Sequence, residues 1–162
     1  MPPNIPIYTV DSFTQKPFGG NPAAVCLLDE PKDDDWMQAV AAEMNLSETA
    51  FILRHPIGWD LRWFTPKIEV DLCGHATLAT AHILWESGRL KADQPAVFAT
   101  ASGVLKCYAR GTLIEMDFPA EPAQETEAPP ALLAGLGVKP IFVGRNRFDY
   151  IAVLESEEQV RL

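Results

Sequence analysis

The feature that most constrains this chain is the run Gly74-His75-Ala76-Thr77-Leu78-Ala79-Thr80-Ala81-His82-Ile83-Leu84-Trp85-Glu86-Ser87, apolar on nearly every side of a helical wheel. A helix without a broad polar face is packed on more than one side, so it belongs at the centre of a domain, and Gly88 is placed to cap its C-terminus. What flanks it reads as sheet. Residues 5–10 and 23–28 are short apolar, β-branched or small-residue runs bounded by turn residues, and 49–53 and 61–64 look alike, with His55-Pro56-Ile57-Gly58 as a hairpin turn. After the helix, 97–100, 105–108 and 113–118 are separated by Ser102-Gly103 and Gly111, the pattern of an antiparallel meander. The expected class is α+β, a curled and mostly antiparallel sheet around one central helix.

A second helix is predicted after Asp33-Asp34-Asp35, which supply an N-cap and first-turn negative charge, because Met37, Val40, Ala41 and Met44 recur at helical spacing. Phe18-Gly19-Gly20-Asn21-Pro22 is a loop with exposed backbone amides. Residues 121–130 hold three Glu and three Pro and no β-branched aliphatic or aromatic, the composition of a solvated connector. The expected organisation is therefore a first domain over 1–120, a connector over 121–130, and a strand and helix extension over 131–162.

Charge narrows the partners. The 162 residues carry 13 Lys and Arg against 22 Asp and Glu, a net charge of −9, which disfavours phosphate backbones and anionic lipid surfaces. No window approaches the roughly 18–20 apolar residues of a membrane span, and the start Met1-Pro2-Pro3-Asn4 lacks a basic region followed by an apolar one. Cys26, Cys73 and Cys107 are odd in number, widely spaced and without a C-x-x-C pair. Reduced thiols in a cytoplasmic protein are expected, with a small-molecule partner and neither nucleic acid nor membrane.

The chemistry concentrates in Asp71-Leu72-Cys73-Gly74-His75-Ala76-Thr77, at the start of the central helix. Unpaired N–H groups and the positive dipole end suit a substrate carboxylate there, and Gly74 allows close approach to the backbone. The same dipole would stabilise a Cys73 thiolate, although a small buried hydrophobe is the competing reading. His75 suits proton shuttling or substrate contact, or a satisfied structural role. Glu48 sits between Asn45-Leu46-Ser47 and the apolar run Ala50-Phe51-Ile52-Leu53, a strand mouth suited to a general acid or base, against the alternative of a solvated carboxylate. His82 lies seven positions after His75 and is expected in the core; two histidines two turns apart do not make a metal site. A hydrolase pair of Cys73 with His75 is disfavoured, because residues two apart at a helix start point in different directions. The chain has no dinucleotide fingerprint, no P-loop and no nucleophile elbow, so chemistry without a cofactor or metal is expected.

Five motifs stand in one order: Val10-Asp11-Ser12-Phe13, Phe18-Gly19-Gly20-Asn21-Pro22-Ala23-Ala24-Val25, Asn45-Leu46-Ser47-Glu48-Thr49-Ala50-Phe51, Arg62-Trp63-Phe64-Thr65-Pro66 and Asp71-Leu72-Cys73-Gly74-His75-Ala76-Thr77-Leu78-Ala79. In this order the chain resembles the phenazine-biosynthesis PhzF-like family, which is similar in fold to diaminopimelate epimerase and proline racemase. The resemblance implies two α+β domains with a cleft between them and isomerisation by cofactor-independent proton transfer at carbon. It further implies Glu48 as acid/base, Gly74, His75 and Ala76 at the substrate-binding helix start, and Asn21 and Thr65 as substrate-binding side chains. Cys73 falls where the epimerase and racemase relatives keep a catalytic cysteine, and Glu48 ranks above it. Members of the family are nearly twice as long, so the second wall of the cleft is expected to lie outside these residues or to come from a homodimer. A catalytically silent binding or assembly module of the same fold is the alternative.

Overall fold

A computed structural model describes residues 4–162, and they form two compact units, the first ending at Phe118 and the second being Pro119–Leu162. In the first unit the strands are β1 (Ile7–Ser12), β2 (Asn21–Leu27), β3 (Glu48–His55), β4 (Gly58–Phe64), β5 (Glu69–Val70), β6 (Ala96–Thr100), β7 (Gly103–Arg110) and β8 (Leu113–Asp117). Helix α1 (Asp34–Met44) links β2 to β3, and α2 (Gly74–Glu86) precedes β6. The sheet order is β1-β2-β3-β4-β6-β7-β8, with the two-residue β5 beside β4. The β2–β3 and β4–β6 pairs are parallel and the rest antiparallel, which gives the expected curled α+β sheet around a central helix.

Alternation along β2 and β3 explains how one sheet serves two helices. Val25 and Leu27, with Ala50, Ile52, Leu61 and Trp63, belong to the core around α2, and Ala76, Ala79 and Leu84 of that helix join it. Cys26 and Leu28, with Phe51 and Phe64, form a separate core with Met37 and Ala41 of α1. Successive strand residues point to opposite faces, so these strands are buried on both sides and carry few polar groups. Phe51 meets Phe64 edge-on at 5.5 Å between ring centroids, and Trp36 meets Phe51 at 6.1 Å.

Local signals act where the sequence places them. Asp33 caps α1, its Oδ1 accepting the Trp36 N–H at 2.7 Å, and Asn45 ends the helix in the left-handed region at φ 51°. Gly88, at φ 69°, donates its N–H to the Trp85 carbonyl at 3.0 Å just past α2. Trp59 and Trp63 are buried packing residues.

His82 departs from expectation. It is exposed, and with Leu78 it lines a groove of about 630 Å³ bordered by Val10 and Asp11 of β1 and by Leu113, Ile114 and Met116 of β8. The sheet curls around α2 without closing over the face that carries His82, so seven-residue spacing from buried His75 does not bury it.

The second unit contains β9 (Gln124–Glu125), α3 (Pro130–Leu136), β10 (Phe142–Arg145), β11 (Tyr150–Val153) and α4 (Glu157–Arg161), with the strands in the order β11-β10-β9. Within the acidic, proline-rich stretch 121–130, Gln124 and Glu125 pair with Arg145 and Gly144, and Asn146 Nδ2 donates to the Glu121 carbonyl at 3.1 Å. Backbone pairing, which composition does not report, draws part of that stretch into a small sheet. Among the described residues no helix is long and apolar enough to cross a membrane.

Candidate functional site

Register brings the candidate residues to one end of the sheet. Ser12 of β1 pairs with Asn21 of β2, Ala23 pairs in parallel with Glu48 at the start of β3, and Thr49 pairs with Phe64 at the end of β4. The N-terminus of α2 meets that end, because Ser12 Oγ donates to the His75 carbonyl at 2.7 Å. The hairpin between β1 and β2 turns on Gly20, whose φ is +69° and where an added Cβ would stand 2.1 Å from the Ser12 carbonyl oxygen. Only glycine fits that turn without displacing backbone.

Three side chains converge there. His75 Nε2 lies 3.2 Å from Glu48 Oε2, and His75 Nδ1 lies 3.4 Å from Cys73 Sγ, so the imidazole contacts both acid and thiol. The Cys73–His75 contact corrects the expectation that residues two apart at a helix start diverge. Cys73 is the N-cap and not a helical residue; its extended backbone, φ −146° and ψ 117°, turns its side chain toward the first helical turn. Glu48 Oε2 and His75 Nε2 are close but misaligned: both atoms are buried and neither has a hydrogen-bond partner.

Of the two readings of Cys73, the structure favours the small buried hydrophobe over a thiolate held by the helix terminus. Burial pushes the Cys73 thiol up to about 12, and the nearby Glu48 carboxylate adds to the rise, whereas the backbone amides of Ala76 and His75 pull the other way. Loss of hydration outweighs the helix terminus. The residue is 7% exposed, so near neutral pH it is a protonated thiol with an imidazole beside it. Cys26 and Cys107 are buried and unpaired, their thiols raised by burial to about 11 and about 12, and both are core residues.

The remaining candidates divide. Gly74 starts α2 with open space where a Cβ would project, and Ala76 is buried in the same first turn. Asn21 Oδ1 accepts from Ser47 Oγ at 3.2 Å, which places its amide beside the residue preceding Glu48. Thr65 is committed locally: its Oγ1 donates to the Ile68 carbonyl at 3.0 Å and accepts the N–H groups of Lys67 and Ile68. Ser12 was missed as a contributor. The signal for it was its place in the motif beside Asp11, whose Oδ2 accepts the Phe18 N–H at 2.9 Å and ties down the same hairpin.

The sequence profile of the phenazine biosynthesis-like proteins, PhzC-PhzF, matches residues 10–140. The chain belongs to this family. An uncharacterized isomerase from Halalkalibacterium halodurans is 58% identical over 157 residues, covering 96% of this chain and 59% of the relative. The crystal structure of a PhzF-family phenazine biosynthesis protein from Enterococcus faecalis superimposes with a TM-score of 0.85 at 40% identity, covering 96% of this chain and 59% of that one. A predicted epimerase from Pseudomonas aeruginosa gives a TM-score of 0.60 at 29% identity, over 77% of this chain and 46% of that one. The phenazine biosynthesis-like family is thus isomerase-like, and this chain spans about 59% of the length of three bacterial relatives named as uncharacterized isomerases.

Proposed function

We propose that the Glu48–His75–Cys73 cluster performs proton transfer at carbon, without a cofactor, on a small metabolite bearing a carboxylate. The observation that carries this reading is the 3.2 Å approach of Glu48 Oε2 to His75 Nε2 at the N-terminus of α2, two buried polar atoms that lack hydrogen-bond partners. Such atoms are costly unless a bound group completes them.

In this reading the substrate carboxylate approaches Gly74, where the backbone is unobstructed and the helix N-terminus favours negative charge. Glu48 takes the proton: the substrate C–H bond breaks, an O–H bond forms on the carboxyl, and the electron pair delocalises into the conjugated part of the substrate. A proton then returns to carbon at another position or on the other face, which completes an isomerisation. His75 faces both partners through its two ring nitrogens and holds the acid in place. Cys73, protonated near neutral pH, serves as a proton donor in preference to a base. Asn21 orients the substrate from the β2 side, and Thr65 shapes the rim through its turn. The opposing wall comes from the further length that the relatives have or from a second copy in a homodimer.

The test is solvent exchange. A panel of small carboxylates incubated with the protein in deuterium oxide is followed by proton NMR for loss of a carbon-bound signal. Glu48→Gln is expected to slow exchange by about 10²–10⁴-fold. Full exchange in that variant overturns the assignment of Glu48, and absence of exchange across the panel favours a silent binding module.

A further inference from the structure

We propose that Glu48, Cys73 and His75 together form a binding site for a thiophilic divalent cation of the zinc class. One carboxylate oxygen, one sulfur and one ring nitrogen from these residues lie within 4.8 Å of one another, and among the described residues this is the group of three such donors that gathers. A tetrahedral zinc ion with bonds of about 2.3 Å to sulfur and about 2.0–2.2 Å to nitrogen and oxygen holds neighbouring donors roughly 3.3–3.7 Å apart. The Cys73 Sγ to His75 Nδ1 distance of 3.4 Å already has that spacing. The widest separation in the group therefore has to contract by at most about 1.5 Å.

Donor chemistry selects the ion. Calcium and magnesium take oxygen ligands and gain nothing from sulfur, whereas a thiolate, an imidazole and a carboxylate suit zinc and its neighbours. The site is prepared in a second respect. His75 is 8% exposed, and its Nε2 and Glu48 Oε2 are buried polar atoms without partners, so an ion that takes Glu48 Oε2 as its oxygen ligand satisfies an orphaned group. Binding exchanges the thiol proton for the metal: the S–H bond breaks, a sulfur–metal bond forms and the proton leaves to solvent. Three protein donors leave a fourth position for water. An ion seated there withdraws all three side chains from proton transfer. That inhibitory consequence rests on the proposed function; the binding itself does not.

Cobalt(II), which takes zinc's place and absorbs when bound by thiolate, is the probe. It is titrated into tag-free, reduced protein, and zinc is then added to displace it. A sulfur-to-cobalt band saturating at one equivalent and bleached by zinc is expected. Cys73→Ser should abolish the band, His75→Gln and Glu48→Gln should each weaken binding by at least about tenfold, and Cys26→Ser with Cys107→Ser should leave it intact. A band that survives Cys73→Ser, or a titration that never saturates, overturns the proposal. Should a variant misfold, the wild-type protein decides alone. Zinc is expected to slow N-ethylmaleimide labelling of Cys73, read by peptide mass spectrometry, by at least about tenfold, and unchanged labelling overturns the site. These readouts involve no turnover, so their failure leaves the deuterium-exchange result untouched, and the converse holds.

Discussion

Ser12 and His75, 63 residues apart in sequence, are joined by a 2.7 Å hydrogen bond from the serine hydroxyl to the histidine carbonyl. Ser12 is 1% exposed, so the bond is made out of reach of water and anchors the first turn of α2 to the end of β1. Ser12→Ala is expected to cost about 1 kcal/mol in urea unfolding and to speed amide hydrogen exchange in the first turn of α2. An unchanged midpoint and unchanged exchange would show that packing alone holds the turn.

Gly20→Ala attacks the same hairpin from the backbone. A left-handed φ of +69° and a Cβ position 2.1 Å from the Ser12 carbonyl oxygen add strain to steric overlap. A loss of about 2–4 kcal/mol is expected, measured by chemical denaturation. A loss below about 0.5 kcal/mol would mean the turn re-forms in another conformation at no cost.

Asp33→Ala removes the side-chain cap of α1, which accepts the Trp36 N–H. The expected loss is about 1 kcal/mol, partly recovered in Asp33→Ser. Thermal unfolding of the two variants side by side checks it; equal melting points for alanine and serine would remove the cap from the account.

Alkaline pH should destabilise the fold through its thiols. Cys26, Cys73 and Cys107 are raised to about 11, about 12 and about 12, above the value near 8.5 of an unfolded thiol. Between the two values the folded chain keeps protons that the unfolded chain releases. The stabilisation is complete below the unfolded value and declines as pH rises toward 11–12, by up to about 1.4 kcal/mol per pH unit for each thiol. Urea unfolding across this window should therefore show a shallower decline in Cys107→Ala than in the wild type. Parallel slopes would refute the contribution.

Much of the fold was legible because its signals are local or periodic. The all-round apolar character of residues 74–87 marked the central helix, Asp33 marked the start of α1, and the glycines at 103 and 111 marked the turns of the meander. Two-residue strands such as Glu69–Val70 and Gln124–Glu125 are defined by their partners and carry no pattern of their own. In the site, the motifs singled out Glu48, Cys73 and His75, but not their contact. That contact depends on a cap residue in extended conformation, which spacing rules for helices do not describe. The two readings of Cys73 divide for a related reason: the dipole that favours a thiolate is readable from position, while the burial that outweighs it depends on the strands packed around the helix start.

The division of β2 and β3 between two cores bears on which genetic changes this segment can absorb. Val25 and Ile52 face α2 while Cys26 and Phe51 face α1, so a codon inserted or deleted within either strand would exchange the two sets along everything that follows in that strand. Conservative replacement of one apolar residue by another keeps the parity and costs little by comparison. Length variation should therefore collect in the loops, whereas these strands drift only by substitution.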